Sequence, residues 1–128
     1  MQTQSLRRHK GQAQRRENVL RAAALMAANL ARPDRGVDFY AKHAGYQRQS
    51  FHRAFVRVLG VGPQVYLRNL RIGHAKTLLA TTDMRVVDIG AEVGYPVLCS
   101  FQKAFAAVTS HSPSSWRTKE RTTMAVTR

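Results

Sequence analysis

"AGYQRQSFHRAF", Ala44 to Phe55, and "VGYPVLCSFQKAF", Val93 to Phe105, decide how this chain folds. The two stretches lie about 50 residues apart and keep Gly-Tyr, Ser-Phe and Ala-Phe while nearly everything between them differs. Two copies of one scaffold account for what is kept. What varies is then what each copy recognises. Working outward, Val37 aligns with Val86, Tyr40 with Ile89, Ala41 with Gly90, Gly45 with Gly94, Phe51 with Phe101, Phe55 with Phe105, Pro63 with Pro113 and Tyr66 with Trp116.

Each copy reads as a short helix, a glycine turn and a second helix. The first covers 37–44 and 48–59, stopped by Gly45 and Gly60; the second covers 86–93 and 97–108, with its turn at Gly94. Phe51, Phe55 and Leu59 recur every four residues and so form a stripe to bury. Small residues at Ala41 and Gly90 let the paired helices approach closely. That unit is the helix-turn-helix, whose second helix enters the DNA major groove. Between the copies, Pro63 suits a first helical turn, and Tyr66, Leu67, Leu70, Ala75, Leu78 and Leu79 give a linker helix over 63–81 a broad apolar arc. Ahead of them, Val19, Ala23, Met26 and Leu30 mark an amphipathic helix over 15–31, ended by "ARPDRG". Residues 1–14 read as a basic flexible arm whose Arg7, Arg8 and Lys10 brush phosphates. Pro113 opens a last turn with Trp116, and 119–128 read as a polar tail. The expected fold is all-α: two helix-turn-helix subdomains joined by a linker helix, about seven helices, in one domain over 15–118.

Composition points to the partner. The 128 residues carry 21 Lys and Arg against 7 Asp and Glu, a formal charge of +14. Small soluble domains manage with roughly 2 to 8. A polyanion is implied, and nucleic acid is the commonest. With Phe51, Phe55, Phe101, Phe105 and Trp116 on the core stripe, RNA, which would want exposed aromatics for stacking, is disfavoured. The single cysteine, Cys99, excludes an intrachain disulfide and a cysteine-based zinc site, and no apolar run is long enough to span a bilayer. A cytoplasmic, nucleoid-associated protein is expected. The five histidines, at 9, 43, 52, 74 and 111, lack paired ligand spacing, so no metal or cofactor is expected. The acids lie mostly at helix starts, where they complement the positive helix end, and no nucleophile-base arrangement stands out, so catalysis is not expected. Lys103 beside Cys99 favours a thiolate, yet surface packing is the simpler reading.

If the aromatic stripes face inward, Arg48, Gln49, His52, Arg53 and Arg57 face outward in the first unit, and Leu98, Cys99, Gln102 and Lys103 in the second. Arg, Gln and Lys are partners for guanine, adenine and phosphate. A helix over 63–81 spans roughly 27 to 28 Å at about 1.5 Å per residue, not far short of the roughly 34 Å between successive major-groove faces. One chain could then do what most helix-turn-helix proteins need a dimer to do.

From about residue 19 to 117, "GYQRQSFHRAFVRVLGVGPQVYLRNLRIGHAKTLL" and "VVDIGAEVGYPVLCSFQKAFAAVTSHSPSSWR" resemble the DNA-binding region of the AraC/XylS family of bacterial transcription regulators. The resemblance implies seven helices and a monomer or weak dimer contacting two adjacent major-groove segments of double-stranded DNA. It also implies transcription regulation, often activation through RNA polymerase. Matched position by position, its base-contacting places fall on Gln49, His52 and Arg53, and on Leu98, Cys99, Gln102 and Lys103. Three departures stand out: Gln47 replaces a capping Ser or Thr, apolar Leu98 and Cys99 replace polar readers, and Ser110 replaces a glycine. The alternatives are a sequence-indifferent architectural DNA-binding protein and a fragment of a larger ligand-responsive regulator.

Overall fold

A computed structural model of the chain describes residues 2–126, with side chains for residues 11–125. Every regular element among them is a helix: α1 (Gln2–Ala28), α2 (Val37–His43), α3 (Arg48–Leu59), α4 (Pro63–Thr81), α5 (Val86–Glu92), α6 (Leu98–Thr109) and α7 (Pro113–Val126). The chain divides into two compact units. The first gathers α1, α2, α3 and the start of α4 through Leu67; the second takes Leu30–Asp34, α4 from Arg68, and α5, α6 and α7.

The repeat in the sequence is a repeat of packing. In the first unit the rings of Tyr46, Phe51, Phe55 and Tyr66 follow one another with centroids 6.0, 5.4 and 5.3 Å apart. In the second, Tyr95, Phe101, Phe105 and Trp116 do the same at 6.0, 5.9 and 5.9 Å. The later contacts in each row are edge-on, the arrangement that sets one ring's positive edge on the next ring's negative face. All four phenylalanines are fully buried. Around them sit Val19, Met26, Tyr40 and Ala41 in the first unit, and Ile72, Ala75, Leu79, Ile89 and Val93 in the second.

Both turns also share their geometry. Gly45 and Gly94 have φ of +82° and +103°. The amide after each reaches back five residues, Tyr46 to the Ala41 carbonyl at 2.8 Å and Tyr95 to the Gly90 carbonyl at 2.7 Å. That closure ends the first helix of each pair and needs a left-handed residue, which only glycine adopts without cost. The second turn, residues 93–97, is one residue longer than the first, residues 44–47. The expected tight approach is closest in the second unit, where a Cβ on Gly90 would stand 2.9 Å from the Phe101 ring. Ala41 holds the same place in the first unit and is buried.

Several expectations need correction. Residues 2–14 are part of α1 and not an irregular arm. They hold no proline and are mostly Gln, Arg, Lys and Ala, which propagate a helix without an apolar stripe, and Gly11 costs such a helix only about 1 kcal/mol. The side chains of Arg7, Arg8 and Lys10 lie outside the described residues. At its other end α1 stops at Ala28, leaving Leu30 outside the helix. Residues 119–126 continue α7 and are not a tail. Leu59 is only half-buried, and the inward place beside Phe55 belongs to Ala54. Ile72, absent from the expected linker stripe, is fully buried.

Helix α7 is fixed by charge at polar positions. Arg117 donates to the carbonyls of Leu79, Thr82 and Met84 at 3.0, 3.2 and 2.8 Å. One turn on, Arg121 donates to the Thr82 carbonyl and pairs with Asp83 at 3.1 Å. The Leu79 carbonyl lies in the last turn of α4 and those of Thr82 and Met84 in the segment that follows it, where carbonyls lack a helical partner and guanidinium groups satisfy them.

At the end of α6, Ser110 takes the glycine-like conformation with φ +62°, and its amide still bonds the Ala106 carbonyl at 2.8 Å. The helix therefore ends where a glycine would end it, with a side chain held in a disfavoured region. Ser110→Gly is expected to raise stability by about 1 kcal/mol. Urea unfolding of the two proteins checks this, and an unchanged midpoint would show that Ser110 carries no strain.

Candidate nucleic-acid interface

The periodicity that buries Phe51 and Phe55 turns the remaining sides of α3 outward. Arg48, Gln49, His52, Arg53 and Arg57 are all exposed on the first unit, and Leu98, Cys99, Gln102 and Lys103 are all exposed on the second. Each set gathers on the outside of the second helix of its helix-turn-helix, α3 or α6. Neither helix has a side-chain N-cap: Gln47 and Val97 hold the extended cap conformation without bonding the first turn.

The five residues on α3 are not equivalent. Arg48 pairs with Asp38 at 3.5 Å, and both remain mostly exposed, so the pair contributes little and leaves the guanidinium accessible. The His52 imidazole lies over the turn into α4, where a Cβ on Gly62 would come within 2.7 Å of its Cε1. Arg48, Gln49 and His52 line one groove of about 370 Å³ together with Val37, Pro63 and Gln64. Arg53 and Arg57, one turn apart, line another of about 250 Å³ with Tyr46, Ser50, Ala54 and Arg15 of α1. Arg15 escaped the sequence reading because it lies beyond the repeated motif, on a helix whose apolar residues alone carried a pattern.

The second unit presents a different surface. Lys103 is the only formal charge on α6, and the start of the helix is apolar: Val97 is 58% exposed and Leu98 37%. Cys99 is a free, exposed thiol. Behind this surface, Arg71 donates to the carbonyls of Leu30 and Arg32 at 2.8 and 3.2 Å and lies over the Tyr95 ring at 5.5 Å. Burial pushes the Tyr95 hydroxyl above its ordinary range, and the Arg71 charge opposes that shift. Among the described residues no group of three or more His, Cys, Asp or Glu could hold a metal ion, and no helix is long and apolar enough to cross a membrane.

Comparison with known proteins agrees with this architecture. A family model described as a helix-turn-helix domain matches residues 40–119. The transcriptional activator AarP of Providencia stuartii is 35% identical over 81 residues, 63% of this chain and 60% of that protein. The transcriptional activator RhaR of Klebsiella pneumoniae is 32% identical over 110 residues, 85% of this chain and 39% of that protein. The chain thus spans less than two thirds of either relative. The DNA-binding domain of the transcriptional factor AdpA, solved with a target DNA, superposes with a TM-score of 0.75 at 24% identity, over 81% of this chain and 93% of that one.

Proposed function

The chain belongs to the AraC-type helix-turn-helix family, and from that membership we propose that it binds double-stranded DNA in a sequence-specific manner and regulates transcription as an activator. Helices α3 and α6 are the recognition helices and read two adjacent major-groove segments. Arg48, Gln49, His52, Arg53 and Arg57 make the first set of contacts; Leu98, Cys99, Gln102 and Lys103 make the second. The protein acts in the bacterial cytoplasm, on the nucleoid, as a monomer or weak dimer, with RNA polymerase as its protein partner.

One observation carries this reading. Twin phenylalanine pairs, Phe51 with Phe55 and Phe101 with Phe105, lie buried in matching places, while the outward residues above them differ in size, charge and hydrogen-bonding capacity. Duplication for stability alone needs no such difference, whereas two readers of non-identical sequence do. The burial of Phe51, Phe55, Phe101 and Phe105 also leaves them no part in stacking on single-stranded bases.

Selection from a random duplex library tests the proposal. The expected product is an extended motif with two clusters of preferred bases about one helical turn apart. A single cluster would assign reading to one unit only. Tight binding without any enriched motif, falling steeply with salt, would instead identify a sequence-indifferent binder.

The apolar start of α6 gives a second expectation. On this reading Leu98, which is exposed, touches a thymine methyl, the apolar group on the major-groove edge. Leu98→Ala is expected to erase the preference for thymine at one position of the selected motif and weaken binding there by about 1 kcal/mol. Repeating the selection with the variant checks this; an unaltered motif would make Leu98 a packing residue.

A further inference from the structure

The groove lined by Arg15, Arg53 and Arg57 holds three guanidinium groups and no acid. Arg53 and Arg57 stand four residues apart on one helix, a spacing at which like charges repel. Elsewhere the chain neutralises such groups: Glu17 pairs with Arg21, Asp34 with Arg32, Asp38 with Arg48, Asp83 with Arg121 and Asp88 with Arg85. The remaining acids, Glu92 and Glu120, belong to the second unit. Among the described residues no ion pair or hydrogen bond engages the side chains of Arg15, Arg53 or Arg57, and Tyr46 and Ser50, which carry hydroxyls, line the same groove. Three uncompensated cations with two neutral donors make a site for an oxyanion supplied from outside, and guanidinium groups match phosphate oxygens in geometry as well as charge.

We propose that Arg15 of α1 and Arg57 of α3 clamp one backbone phosphate of bound DNA, with Arg53 adding to the field. A helix outside both helix-turn-helix motifs thereby belongs to the DNA interface. This inference rests on the DNA-binding reading above and extends it to a residue that reads no base. A clamp of this kind sets the register of α3 in the groove, because phosphate contacts position a protein while base contacts specify its site.

Salt-dependent binding of the full chain to matched and scrambled duplexes tests the clamp. Arg15→Gln is expected to weaken both complexes about fivefold and to flatten the plot of log affinity against log salt by about 0.9, the value for one lost phosphate contact. Arg16→Gln, the same change of charge one residue on, is the control. Arg16 is exposed and lines a different groove, with Leu20 and Ala24. Its slope is expected to change by less than about half as much. Equal changes for the two variants, or none for Arg15→Gln, would overturn the clamp while leaving DNA binding intact. Failure of the unaltered chain to bind any duplex would overturn the reading beneath it. A third arm compares melting in sodium phosphate and in chloride at matched ionic strength. Loss of phosphate-specific stabilisation in Arg15→Gln with an unaltered DNA slope would assign the groove to free phosphate, and would also overturn the clamp.

Discussion

Gly94→Ala is expected to destabilise the second unit by roughly 3 kcal/mol. Two costs combine. At φ +103° an L-residue is strained wherever it sits. A Cβ there would also stand 2.8 Å from the Leu30 carbonyl oxygen and 2.9 Å from Arg71 Nε, the two atoms that hydrogen-bond each other at 2.8 Å. Relief requires the methyl group to push that bond apart, and Arg71 also lies over Tyr95. Gly45 supplies the internal comparison. Its φ is +82°, but a Cβ there meets nothing within 4 Å, so Gly45→Ala should cost only the backbone strain, about 1 kcal/mol. Thermal melts of both variants separate the terms, with a fall of roughly 10 °C expected for Gly94→Ala and about a third of that for Gly45→Ala. Equal falls would mean that the crowding at Gly94 carries no cost.

Arg53→Ala is expected to weaken binding to the selected duplex by about 1 to 3 kcal/mol, roughly 5- to 150-fold, and to relax the preference at one base pair. On a scrambled duplex the loss should be smaller, limited to the share of the charge that Arg53 contributes to the phosphate groove. Arg57→Ala should weaken both duplexes by similar factors. Gel shifts with the two variants on the two duplexes give four numbers. If both variants lose equally on both duplexes, the division between base reader and phosphate contact is wrong.

Much of this architecture was legible because the chain states it twice. One Phe51-Phe55 pair is ambiguous, but its recurrence at Phe101 and Phe105, each time behind a Gly-Tyr, identifies which positions serve the interior. The outward residues then followed by elimination, and all nine are exposed. The ends of the chain were harder to read, since neither has a partner copy to be aligned with. Residues 2–14 and 119–126 are helical without an apolar stripe. The second of these segments is held by Arg121 reaching the Thr82 carbonyl just past α4, and a long basic side chain in a polar stretch looks the same whether it caps a distant helix or waves in water. Arg15 was missed for a related reason: its significance lies in facing Arg53 and Arg57 across a groove, which no spacing along the chain reveals. For Arg48 the residue type alone gave no sign of the competing attachment to Asp38.

Each row of four rings is complete within its own half of the protein, so neither half borrows an aromatic from the other to stay folded. On the proposed division of reading between α3 and α6, a lineage carrying such a chain can let one end of its operator drift and follow with substitutions on a single helix, while the other end stays under the old contract. Regulators built this way should diverge in their targets half-site by half-site.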